Sequence, residues 1–137
     1  MGKSSLKLAD DRMCFGCGSR NARGLKLRFE VDEEQQVIHT RWTPTKQFQG
    51  YADIVHGGII ALVLDEMMGN LLWKLKRPAV TAELTVRFHR PAYVGTPISC
   101  EAYVKEERGR LSWMEAKAED ATGQILATAT GKCVTGK

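Results

Sequence analysis

Residues 54–73 read IVHGGIIALVLDEMMGNLLW, and this stretch limits the fold more than any other. Ile59, Ile60, Leu62, Val63, Leu64, Met67, Met68, Leu71, Leu72 and Trp73 cover nearly every face of a helix. A helix that is apolar all round is buried rather than laid on a surface. Its unbroken apolar run, Ile59 to Leu64, is too short to cross a bilayer. The expectation is therefore one central helix in a small globular domain, and 137 residues are enough to build a single core around it.

Two features of this helix are costly unless they serve something. Its start carries His56-Gly57-Gly58 where Ser, Thr, Asp or Asn would normally cap. The first-turn N–H groups are thus expected to lack a side-chain acceptor. They are then open to an oxyanion, aided by the positive end of the helix dipole. Gly57 and Gly58 let a ligand come close to the backbone. The second feature is the pair Asp65 and Glu66, because a carboxylate in an apolar helix must be paired, exposed or used. One reading puts both on a wet helix edge with arginine partners. Ala61, Asp65 and Gly69, however, fall at i, i+4 and i+8 as a narrow stripe of small residues, which leaves room for a ligand beside Asp65. Of the two acids, Asp65 is the stronger catalytic candidate.

Strand periodicity flanks the helix. Leu25, Leu27, Phe29 and Val31 alternate with Lys26, Arg28 and Glu30; Val37–Trp42 follows, ended by Pro44. Beyond the helix, four segments alternate in the same way, near 80–88, 98–105, 111–119 and 124–134, with turns at Arg108-Gly109 and at 120–123. Ala116, Ala118, Ala127, Ala129 and Gly131 make the last strands small enough for a helix to lie close. The order of two strands, one helix and four strands predicts an α+β layer with an antiparallel sheet of about six strands. Residues 1–13 read as a flexible N-terminal arm and 14–137 as one domain.

Net charge of +4 and a pI near 9.0 suit an anionic partner such as a phosphate-bearing substrate. Basic residues are interleaved with acids and form no block, so nucleic acid is not expected. Met1 to Asp10 is polar, so neither a secretory leader nor membrane attachment is expected, and the default location is cytoplasmic. Cys14-Phe15-Gly16-Cys17-Gly18 looks like half of a zinc knuckle, but Cys100 and Cys133 stand singly. A turn with two buried thiols is the expectation, with no metal and no cofactor.

His56-Gly57-Gly58, the helix with Asp65, and VTAELTVRFHRPA together resemble the hotdog-fold acyl-CoA thioesterases of the phenylacetyl-CoA thioesterase-like group. CFGCGSRNARGLKLRF resembles the N-terminal part of bacterial members, so the likeness runs from about Cys14 to Cys133. The resemblance implies a curved antiparallel sheet wrapped around the helix, and dimers, often paired into tetramers, with active sites at the dimer interface. It implies an acyl-CoA substrate, with Asp65 as nucleophile or as general base for water. It further implies the Gly57 N–H as the donor polarising the thioester carbonyl, His56 as support for that site, and Thr81 as the hydroxyl that positions water. Some relatives carry a second carbonyl donor, an asparagine, six residues before the histidine; Gly50 stands there, and Gln49 beside it offers the amide instead. Arg90 is the first choice for meeting coenzyme A phosphates. Met67, Met68, Trp73 and Phe48 either line an acyl pocket or pack the core. A non-catalytic acyl-CoA-binding protein of the same fold is the competing reading.

Overall fold

A computed structural model describes residues 7–136; the part of the expected arm over 1–6 lies outside them. Residues 7–13 are exposed and form neither helix nor strand. The elements that follow are β1 (Glu30–Asp32), β2 (Val37–Trp42), α1 (Gly57–Lys74), β3 (Ala79–Phe88), β4 (Ile98–Arg108), β5 (Leu111–Glu119) and β6 (Ile125–Thr135), with a 3₁₀ turn at Lys46–Phe48 before α1. The six strands form one antiparallel sheet in the order β1-β2-β4-β5-β6-β3. The sheet wraps α1, which touches β2, β3, β4, β5 and β6.

The core is the inner face of that sheet closed on α1. Val63, Leu64, Met67, Met68, Leu71 and Leu72 of the helix are essentially inaccessible, as are Ile38, Ile98, Ala102, Met114, Ala118 and Ala127 of the strands. Small residues set how near the layers come. A Cβ placed on Gly131 would stand 2.4 Å from Met68 Sδ, so β6 approaches the helix by having no side chain there. Met67, Met68 and Phe48 are packed in the core, whereas Trp73 is 42% exposed.

The first expected strand is shorter than its periodicity suggests. Leu27 is buried and its neighbours Lys26 and Arg28 are exposed, as the alternation requires. Ladder pairing nonetheless begins only at Glu30. The Leu25 and Leu27 N–H groups instead donate to the carbonyls of Phe15 and Gly16, both at 2.9 Å. Lys26 takes φ +52°, which breaks an extended run, and Thr40 Oγ1 donates to the Arg28 carbonyl at 2.5 Å. Alternation reports which side chains are buried, while the pairing partner is set by the preceding cysteine loop.

β3 occupies the sheet edge beside β6. Its ten residues are half-buried or exposed on both faces, and among the described residues no strand lies against its outer N–H and C=O groups. The β3–β6 register shifts between Thr81 and Glu83, with Thr81 opposite Cys133 and Glu83 opposite Lys132. Ala82 is the extra residue of this bulge.

Candidate active site

A tightly tied loop delivers the chain to α1. The Gly50 N–H donates to the Ile54 carbonyl at 2.8 Å, and the His56 N–H to the Phe48 carbonyl at 2.9 Å. Gln49 Oε1 accepts from the Asp53 N–H at 2.9 Å, which holds Asp53 at φ +62°. The amide nitrogen of Gln49 has no acceptor among the described residues.

The helix start corrects one sequence expectation. His56 is itself the cap: its Nδ1 accepts from the Gly58 N–H at 2.9 Å, and its carbonyl accepts from Ile59 and Ile60. The cap residue is a histidine rather than one of the usual small polar residues, so composition alone did not reveal it. With Gly58 engaged, the Gly57 N–H is left without an acceptor among the described residues. The Phe88 ring lies beside Gly57, 3.4 Å from where a Cβ would be. Gly57, Ile60, Phe88, Arg90 and Leu126 share a groove of about 330 Å³. Arg90 Nη1 donates to the Ile125 carbonyl at 3.2 Å, which fixes the guanidinium at that groove.

Two turns along the helix, Asp65 is half-buried and accepts at Oδ1 from Thr81 Oγ1 at 2.5 Å. Thr81 reaches it from the edge strand, immediately before the Ala82 bulge. Among the described residues neither Asp65 nor Glu66 forms a salt bridge, so the arginine-satisfied helix edge is not what the structure contains. The stripe of small residues does leave space: a Cβ on Gly69 would meet nothing within 4 Å. Gly57 and Asp65 lie eight residues apart on one helix, roughly 12 Å at 1.5 Å per residue. Asp65 and Thr81 therefore form one locus, and Gly57, Arg90 and the Gln49 loop form another.

One constellation was not assembled from the sequence. Cys14 Sγ donates to Glu66 Oε1 at 3.2 Å, and Asn70 Nδ2 donates to Glu66 Oε2 at 2.8 Å while standing 3.7 Å from Cys17 Sγ. Burial and the Glu66 charge push the Cys17 thiol up to about 12. The CxxC spacing pointed at the thiols; nothing local pointed from them to a helix about fifty residues away.

The sequence model of the thioesterase superfamily matches residues 52–127. Among the curated proteins there is no match. A solved thioesterase superfamily protein is 27% identical with a TM-score of 0.83, over 90% of this chain and 60% of that one; the chain thus spans only about three-fifths of that relative. The PaaI protein from the phenylacetic acid degradation operon of E. coli is 19% identical with a TM-score of 0.75, over 81% of this chain and 80% of that one. A hypothetical thioesterase from Streptococcus pneumoniae, solved with coenzyme A, is 14% identical with a TM-score of 0.75, over 81% and 90%. That protein was also solved with an aspartate, and separately a threonine sixteen positions later, replaced by alanine. The fold is the hotdog of these thioesterases, as the likeness of sequence implied.

Proposed function

The chain belongs to the thioesterase superfamily, and on that premise we propose that it hydrolyses an acyl-CoA thioester, with Asp65 as the catalytic carboxylate. The observation that carries the reading is the Thr81–Asp65 hydrogen bond. It occupies Oδ1 and, among the described residues, leaves Oδ2 free on a half-buried face with no cation to neutralise it. The aspartate and threonine substituted in the pneumococcal thioesterase have the same separation of sixteen residues, which supports pairing the two side chains in one role.

Hydrolysis of a thioester needs a donor for the carbonyl oxygen and an activated nucleophile. The unengaged Gly57 N–H, at the positive end of α1, is the donor, and the amide of Gln49, from the loop that leads into α1, is the candidate for the second. Asp65 either attacks the carbonyl carbon, expelling coenzyme A thiolate and leaving an acyl anhydride for water to cleave, or takes a proton from the attacking water directly. In both routes Thr81 holds the carboxylate, and the net change is thioester plus water to acid plus thiol. Arg90, on the Gly57 groove, meets the coenzyme's phosphates. His56 supports the donor by capping the helix through the Gly58 N–H, which leaves the Gly57 N–H unengaged among the described residues.

The two loci are too far apart within one chain, since reacting atoms must approach to about 3–3.5 Å. The site is therefore composite: two antiparallel copies of α1 bring Gly57 of one chain to Asp65 of the other, in a two-fold dimer. The half-covered helix face of Ala61, Leu62 and Asp65 and the open edge of β3 support that arrangement. The test is release of coenzyme A thiol from a panel of aryl, short-chain and medium-chain acyl-CoAs. Asp65→Asn should lower kcat by about 10²-fold or more with unfolding unchanged. A variant that retains the wild-type rate overturns the assignment.

A further inference from the structure

We propose that Cys14, Cys17 and Glu66 bind one thiophilic divalent cation, zinc foremost, which staples the N-terminal loop to the central helix. Their ligand atoms all lie within 4.8 Å of one another. Tetrahedral zinc, with Zn–S near 2.3 Å and Zn–O near 2.1 Å, sets neighbouring sulfurs roughly 3.8 Å apart and sulfur from oxygen roughly 3.6 Å apart. The Cys14 Sγ to Glu66 Oε1 separation is 3.2 Å, so shifts of about 1 Å or less bring the three atoms into place. The half-knuckle seen in the sequence is thus completed by a helix carboxylate rather than by a second pair of cysteines.

Four further observations favour a cation over a purely hydrogen-bonded cluster. Glu66 has no Lys, Arg or His within salt-bridge distance among the described residues, and thiols are weak donors to set against a half-buried carboxylate. The loop is shaped to seat that carboxylate. A Cβ on Gly16 would stand 2.3 Å from Glu66 Cγ, and one on Gly18 would stand 2.5 Å from the backbone N and O of Cys14. Asn70 Nδ2 holds the second Glu66 oxygen at 2.8 Å, the kind of outer partner that fixes a metal-bound carboxylate. A cavity of about 570 Å³ adjoins the three ligands and admits water as the fourth. Binding replaces the Cys14 S–H hydrogen bond with S–metal bonds and releases the two thiol protons to solvent.

The experiment is metal analysis and Co²⁺ titration of the full chain. Protein purified without chelator should carry about one zinc per chain. After chelator treatment, one equivalent of Co²⁺ should give the near-ultraviolet thiolate charge-transfer band together with the visible bands of a tetrahedral ion. Cys14→Ser and Cys17→Ser should abolish that band, Cys100→Ala should keep it, and Asn70→Ala should weaken affinity by about 10–100-fold. Asp65→Asn should leave metal content unchanged, which separates this site from the thioesterase reading. Wild-type protein that takes up no Co²⁺, that holds a Cys14–Cys17 disulfide in place of metal, or whose binding survives Cys14→Ser overturns the proposal. The wild-type titration decides the matter even where a cysteine variant does not fold.

Discussion

Thr81 Oγ1 donates to Asp65 Oδ1 at 2.5 Å, joining the edge strand of the sheet to the middle of the central helix. Among the described residues only one carboxylate oxygen is occupied. The helix and the sheet are held together by their shared apolar core, so loss of the hydroxyl leaves Asp65 in place but free to turn. Thr81→Ala should therefore reduce thioester hydrolysis by about tenfold, the worth of one ordinary hydrogen bond. That is much less than the loss expected of Asp65→Asn. Steady-state rates on one acyl-CoA compare them, and an equal loss in both would give Thr81 a direct part in the chemistry.

A site shared between chains makes complementation the direct test. Gly57 is the first helical residue, a position where proline is tolerated because its missing N–H is not needed by the helix. Gly57→Pro should remove the oxyanion donor and lower kcat by about 10²–10³-fold. A heterodimer of Gly57→Pro with Asp65→Asn has one site carrying both lesions and one carrying neither. Co-expressed and purified as verified heterodimer, it should recover about half the wild-type rate. Heterodimers as inactive as both parents, with Gly57→Pro shown to fold and dimerise, would mean that each chain completes its own site.

His56 is assigned a capping role by its Nδ1 bond to the Gly58 N–H. His56→Ala should cost about 1 kcal/mol of stability and loosen the Gly57 amide, lowering activity with it. His56→Asn supplies an alternative cap acceptor and should restore the denaturation midpoint and most of the rate. If stability returned while the rate stayed tenfold down, the ring itself would touch the substrate.

Cys100 is buried in β4, and burial pushes its thiol up from 9.0 to about 12. The unfolded chain releases this proton near pH 9 and the folded chain only near 12. The folded state thus holds more protons between those values, and stability falls as pH rises through that window. Thermal unfolding followed from pH 8 to 11 should show the decline, and Cys100→Ala should make it shallower. A variant with the same slope as wild type would show that burial at Cys100 is not a source of it.

The sequence made the helix, its burial and the strand that ends before Pro44 legible, because a period of 3.6 or 2 reports burial directly. Ile38, Thr40 and Trp42 of β2 are buried as the alternation requires. Asp65 was singled out from Glu66 by the stripe of small residues beside it, and by the resemblance to the thioesterases. Partners across the chain were not legible. Leu25 and Leu27 pair with the cysteine loop instead of with β2, and Glu66 meets Cys14 across 52 residues. Both depend on how distant segments close on one another, and no local pattern encodes that. The His56 cap was missed for another reason: a ring nitrogen does the work expected of a small hydroxyl or carboxylate.

The Ala82 bulge changes what kinds of sequence change β3 can absorb. Because Ala82 has no opposite number on β6, its side chain can be exchanged with little consequence for the ladder. Its presence as a residue cannot be dispensed with. Deleting it would close the bulge and slip Ala79, Val80 and Thr81 by one position, and a one-residue slip sends a side chain to the opposite face of a sheet. Thr81 would then point away from Asp65 although every residue of the pair was still there. Chain length in this strand, more than its composition, keeps the hydroxyl over the carboxylate.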